Sequence, residues 1–78
     1  NPFNPLTTIE FALPQSATIS LDVYNSLGAK VATLLNNQHM NAGFHSAAFD
    51  ATDFSSGVYI YKLHAGSQVM MKKMMLIK

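Results

Sequence analysis

The chain contains no cysteine and no tryptophan, and only 12% of its residues are charged. The absence of cysteine excludes disulfide scaffolds, thiolate zinc sites and cysteine nucleophiles. With a formal net charge of +1, the chain has no electrostatic field strong enough to gather nucleic acid or an acidic membrane surface. We therefore expect no nucleic-acid partner. No apolar run approaches the roughly 20 residues that a membrane helix needs.

The length of 78 residues allows one small domain, near the lower limit at which a single core outweighs chain entropy. A core of this size rarely supplies more than roughly 3–5 kcal/mol, which leaves little room for a buried polar active site. Position 1 is not Met and no signal-peptide pattern opens the chain. We expect a piece of a longer polypeptide whose targeting information lies upstream or within this domain.

Apolar and polar residues alternate along almost the whole chain, which is the pattern of half-buried β-strands. Ile9, Phe11 and Leu13 form one such set, and Ile19, Leu21 and Val23 form another, with one face of each strand in contact with water. The predicted strands are 8–13, 18–24, 30–35, 44–50, 58–64 and 69–78, and 36–43 is predicted to be a connection. Short strands at spacings of about 8–12 residues favour an antiparallel sandwich.

Glycines mark several predicted boundaries. Gly28 lies in a turn where positive φ is available to it, Gly43 closes the predicted connection, and Gly57 precedes the fifth strand. The segment 30–35 is rich in helix formers and is compatible with a helix. Its length argues against a helix.

The first residues form a stiff lead-in to the first strand. Pro2 and Pro5 fix φ near −65°, and they push Asn1 and Asn4 toward extended backbone. Phe3 lies between these two rigid dipeptides, and we expect it to pack on the end of the first strand. The alternative is a proline-rich boundary with no further role.

The histidines and acids do not form a recognisable catalytic or metal site. His45 and His64 are candidates to meet across strands, but metal sites need three or four converging ligands. Glu10 and Asp22 fall on the faces of their strands predicted to be wet. The other acids lie at a strand end and in a loop, where Asp bonds local amides. With no serine elbow, phosphate loop or calcium loop, we expect no enzyme activity, no metal and no cofactor.

Tyr59 and Tyr61 allow two interpretations. As core residues they bury apolar area and place their hydroxyls where backbone partners lie. As exposed rings they would form a platform for sugars. Their spacing of two, continued by Leu63, favours the core.

The segment "VMMKKMMLIK" is apolar on both faces of a predicted strand, unlike an ordinary strand with one wet face. One interpretation is a central strand covered by loops, with lysines at its margins. The other is an exposed docking stripe, adaptable because Met repacks around different partners and steered by lysine charge. From the residues alone these two interpretations are about equally supported.

Several segments in the same order resemble the C-terminal sorting domain of type IX secretion cargo proteins. They are "NPFNPLTTIEFALP", "ISLDVYNSLGAKVATLL", "NAGFHSAAFDATDFSSGVYIYKLHAG" and "KKMMLIK". The resemblance runs from the first residue to the last. Phe49 stands where relatives often carry Trp, and the four methionines near the C-terminus are more than we expect.

The resemblance implies a small immunoglobulin-like β-sandwich of about six to seven short strands. It also implies a place at the end of a large protein exported by a Bacteroidetes-like bacterium. The implied partners are the outer-membrane translocon, a sortase-like peptidase that removes the domain, and an upstream cargo domain in the same polypeptide. The implied route passes through the periplasm to the cell surface or the extracellular space. Residues 1–6 would be the lead-in segment and residues 7–78 the sandwich of one domain.

Because family members are recognised through their C-terminal end, the resemblance favours the docking interpretation of the last strand. We expect charge contacts from three lysines and seating of the strand by three apolar residues, namely Lys72, Lys73, Lys78, Met74, Leu76 and Ile77. Gly57 and Tyr59 are expected to hold the neighbouring strand in register. An exposed edge also favours an edge-strand homodimer. The alternatives are a structural or carbohydrate-binding module and, with less support, an enzyme.

Overall fold

The computed structural model describes residues 6–77, which form six β-strands and no helix. The strands are β1 (Leu6–Leu13), β2 (Ala17–Asn25), β3 (Lys30–Met40), β4 (Gly43–Asp50), β5 (Gly57–Ala65) and β6 (Gln68–Leu76). All pairs are antiparallel, so the predicted small immunoglobulin-like β-sandwich is confirmed. The lead-in residues 1–5 and Lys78, which carried predictions, lie outside the described residues.

The strands form two sheets of unequal width. β1 pairs with β4 in a two-stranded sheet, from Leu6 opposite Asp50 to Leu13 opposite Gly43. The other sheet has four strands in the order β3-β2-β5-β6. Because one sheet is two strands narrower than the other, it covers only part of the facing sheet.

The core lies between the two sheets and is built from the alternating positions. The most deeply buried large side chains are Phe49, Ile19, Leu21, Leu63 and Val23. The alternation that predicted the strands therefore also selects their inward faces. Asn25 caps the turn after β2, and Gly28 adopts φ +88° there, as the turn prediction requires.

An aromatic cluster closes one end of the core beside the 51–56 loop. The Phe54 ring lies 5.4 Å from the Phe49 ring and 6.2 Å from the Tyr59 ring, measured between centroids. The Tyr59 hydroxyl donates a hydrogen bond of 2.8 Å to the Ser55 carbonyl. The predicted core role and backbone partner are thus confirmed for Tyr59, whereas Tyr61 is half-buried.

The third strand is longer than predicted. Residues 36–40 belong to β3 and are not part of a connection, and 30–35 is strand, not helix. The pairing of β3 with β2 shifts register three times. At one shift Asn37 has φ 51°, and its N–H donates 3.1 Å to the Ser20 hydroxyl. Such bulges break the apolar alternation on which the boundary prediction depended.

Asp22 is buried, contrary to the prediction of a wet face. The residue is only 8% exposed, and its carboxylate accepts a 2.8 Å hydrogen bond from the Thr33 hydroxyl and lies 3.7 Å from the Lys30 ammonium. Lys62 is the register partner of Asp22 on β5, and its ammonium lies 5.2 Å from the centroid of the Tyr24 ring. Asp22 lies on β2 between β3 and β5, and both recorded contacts of its carboxylate come from β3 side chains. Glu10, on β1, is exposed as predicted.

Candidate docking surface

The last strand, β6, forms an edge of the four-stranded sheet. Among residues 6–77 its one partner is β5, which it meets through nine consecutive residue pairs from Gly57–Leu76 to Ala65–Gln68. The interpretation of a covered central strand is therefore wrong. The structure instead agrees with the other interpretation, in which the strand is exposed.

Large apolar side chains are concentrated along this edge. Of the eight exposed large hydrophobic residues in the described part of the chain, five lie between positions 69 and 77, namely Val69, Met70, Met71, Met75 and Ile77. Isolated exposed apolar residues are ordinary, but a contiguous set on one strand is typical of an interaction site. We call the solvent-facing side of Gln68–Leu76, together with its exposed side chains, the β6 edge.

The two faces of β6 have different surroundings, because opposite residues in an antiparallel pair share a face. Met74 lies opposite Tyr59 and packs against the core, and Leu76 is buried at 8% exposure. Met71 and Met75 lie on the outer face and are exposed. The strand is thus anchored by its C-terminal inner side chains and free along its outer face.

The two central lysines point to opposite faces. Lys72 lies opposite Tyr61 on the inner face, and Lys73 lies opposite Ile60 on the outer face. Both are exposed. They therefore place positive charge on both faces at the middle of the edge, and do not form one cationic patch. Ile77 follows the strand and is 77% exposed.

A cleft lies under the β6 edge, where the narrow sheet leaves the wide sheet uncovered. Its volume is about 460 Å³, and its walls include Phe11, His45, Tyr61, Met70 and Lys72. The rings of Phe11 and His45 lie 5.6 Å apart between centroids, and His45 is held by a 2.7 Å contact between its Nε2 and the Asn41 carbonyl. The sequence analysis did not predict this cleft, because the residue pattern of single strands carries no information on how far one sheet covers the other.

The titratable groups do not assemble an acid–base or metal site in the described residues. Glu10 is the one carboxylate that lines the cleft, while Asp22 lies on β2 beside Thr33. Asp50 accepts a hydrogen bond from the Thr52 amide, as predicted for an acid at a strand end. Within residues 6–77 no group of three or more His, Asp or Glu side chains is placed to hold a metal ion.

The predicted approach of His45 and His64 is wrong. His45 is on β4 in the two-stranded sheet, whereas His64 is on β5, opposite Ser20 and Val69 in the other sheet. His39 lies on the edge strand β3, opposite Thr18. The three imidazoles are therefore distributed over three strands, because the chain crosses between sheets after β3 and again after β4.

Comparison with known proteins yields one family. The family model described as secretion system C-terminal sorting domain matches residues 1–78. No curated protein and no solved structure matches the chain. None of the described residues belongs to a helix long and apolar enough to cross a membrane.

Proposed function

We propose a function that starts from the family: this chain belongs to the type IX secretion system C-terminal sorting domains. In this proposal the domain is a non-catalytic sorting signal, and the secretion machinery binds its β6 edge. Membership implies a C-terminal tail on a cargo protein that is exported to the cell surface or the extracellular space. The finer steps belong to the proposal. They are periplasmic transit, recognition by the outer-membrane translocon, and removal by a sortase-like peptidase.

The observation that carries the proposal is the exposed apolar edge at the C-terminal end of a folded sandwich. Exposed Met71 and Met75 offer adaptable contact area, and Lys72 and Lys73 add positive charge at the centre. Leu76 and Met74 hold the strand to the core from the other side. A partner can therefore reach the edge without unfolding the domain. In the same proposal, residues 1–78 are one sorting domain, in which residues 1–6 form the lead-in from the upstream cargo domain and residues 7–78 form the sandwich.

The alternative of a glycan-binding platform loses its main support. It required Tyr59 and Tyr61 to be exposed together, but Tyr59 is buried at 6% exposure and its hydroxyl is bonded to Ser55. The enzyme alternative required a pair of carboxylates in one concave site. Glu10 is the single carboxylate among the described residues that line the cleft.

The test is export of a reporter fused in front of this chain in a host with a type IX system. Deleting residues 73–78 removes the end of the edge but also the buried Leu76, so loss of export would have two explanations. The paired substitutions Met71→Glu and Met75→Glu change exposed outer-face side chains only. We expect them to abolish surface delivery of the reporter while leaving its thermal unfolding unchanged.

The matched control is Leu27→Glu. Leu27 is 91% exposed in the turn after β2, and β5 separates β2 from β6 in the sheet. This variant should be exported like the unaltered fusion. Normal surface delivery of the Met71→Glu, Met75→Glu variant would refute the proposal. Mass spectrometry of the exported reporter's C-terminus tests removal of the domain, since a tail that remains attached contradicts the peptidase step.

A further inference from the structure

The two edges of the four-stranded sheet are built differently. On β3, three register shifts and the positive φ of Asn37 twist and interrupt the edge, which is a common protection against pairing with another strand. On β6, the nine pairs with β5 run without a shift. Its outward backbone N–H and C=O groups therefore follow a regular ladder spacing, which is what an added strand requires.

The cleft gives an added strand a place for its side chains. Met70 and Lys72 of β6 form one wall, and Phe11 and His45 of the narrow sheet form the other. A strand paired to β6 would lie about 4.8 Å further out. Its alternate side chains would then lie over the mouth of the cleft, where the wall is mostly aromatic and aliphatic. Apolar side chains fit those positions.

The two central lysines of β6 favour an added strand that carries negative charge. Lys72 is the middle residue of Gln68–Leu76. Two copies of β6 paired antiparallel over their full length would place Lys72 opposite Lys72 of the other copy, and like charges directly opposite each other destabilise a pair. A carboxylate at that position stabilises it. The charge of the edge thus disfavours a second copy in that register and favours an acidic partner.

We propose that the β6 edge binds its partner by strand addition. The occupant is an extended segment of another protein. It places one carboxylate opposite Lys72 at the mouth of the cleft, apolar side chains at the other cleft-side positions, and a second carboxylate opposite Lys73 on the outer face. This deepens the proposed function, on which it rests for the identity of the partner as part of the secretion machinery. The binding mode itself follows from the regular edge, the cleft and the charge.

Hydrogen exchange of the 78-residue chain tests the mode. The probe is a synthetic nine-residue peptide of alternating valine and threonine with glutamate at two adjacent central positions. We expect slower exchange at alternate amides of β6 on addition of the peptide, and unchanged exchange in β3. A control peptide with proline at alternate positions cannot supply ladder donors and should not bind. Peptide binding that leaves every β6 amide unprotected overturns strand addition.

Charge reversal tests the selectivity. The variant Lys72→Glu, Lys73→Glu should bind the glutamate peptide at least roughly tenfold more weakly, since two favourable cross-strand pairs become unfavourable. It should instead bind a peptide with lysine at the two central positions. Leu27→Glu, which adds one negative charge in the turn after β2 and not on the β6 edge, should leave affinity for both peptides nearly unchanged. Equal affinity of the unaltered chain for both peptides would overturn the acidic partner.

Self-association is measured in the same samples by sedimentation. Protection of β6 amides that increases with chain concentration and needs no peptide would show a second copy as the occupant, against the proposal. The experiments also distinguish failure of the sorting function from failure of strand addition. If Met71→Glu, Met75→Glu abolishes export but peptides never protect β6 amides, the sorting function stands and strand addition falls. If peptides protect β6 while export is indifferent to the edge, strand addition stands and the sorting function falls.

Discussion

Replacing Leu76 or its neighbour Ile77 with alanine should separate the stability of β6 from its accessibility. Leu76 is 8% exposed and belongs to the core, whereas Ile77 is 77% exposed just beyond the strand. The two side chains have the same number of carbon atoms and are adjacent in the chain. Any difference between the two variants therefore reports burial and not composition.

The expected magnitude follows from the core contact. Truncating a buried leucine to alanine costs about 2–5 kcal/mol, and Leu76 belongs at the lower end because it ends an edge strand. A loss of about 2 kcal/mol is roughly half of the 3–5 kcal/mol that a core of this size supplies. In a domain of this length it lowers the melting temperature by about 8–16 °C. Ile77→Ala should change the free energy of unfolding by less than about 0.5 kcal/mol.

Thermal and urea unfolding of both variants, followed by circular dichroism, provides the measurement. Equal melting temperatures for the two variants would refute the placement of Leu76 in the core and Ile77 in solvent. Export of the corresponding reporter fusions adds a second comparison. If Ile77 contacts the translocon, as the sequence leads us to expect, Ile77→Ala reduces surface delivery although its stability is unchanged. An export defect confined to Leu76→Ala would instead attribute the effect to folding.

Two further substitutions test the fold. Phe49→Ala should cost about 3–5 kcal/mol and leave the domain largely unfolded at 25 °C. Phe44→Ala should be nearly neutral, because Phe44 is 93% exposed. One-dimensional proton NMR distinguishes folded from unfolded chains. Asp22→Ala removes the acceptor of the Thr33 hydroxyl and the partner of Lys30, and should cost about 1–3 kcal/mol in urea unfolding.

Local pattern was sufficient to predict the strands that face the core. Alternation around Ile9, Phe11 and Leu13 and around Ile19, Leu21 and Val23 predicts buried faces, and all six residues are in the core. Prediction failed at residues 36–40, where the strand continues with polar side chains. An edge strand with bulges needs no strict alternation, since its ladder bonds, and not its side chains, define it.

Burial of single polar residues also escaped prediction. A carboxylate on the outer face of a strand is wet if the strand is at an edge, but Asp22 lies on a central strand between β3 and β5. Strand order in a sheet comes from long-range pairing, about which the pattern of one strand says nothing. The same reason applies to His45 and His64, which the topology places in different sheets.

The sequence by itself determined the all-β class, the inward faces of the strands, the turn around Gly28, and the family. These depend on local alternation, on backbone conformations that glycine adopts readily, and on motifs that are contiguous in the chain. Only the tertiary structure decided that β6 is a free edge beside an uncovered cleft. The same apolar residues would be core in a central strand. They are surface here because β6 has one partner strand among the described residues and the opposite sheet is two strands narrower.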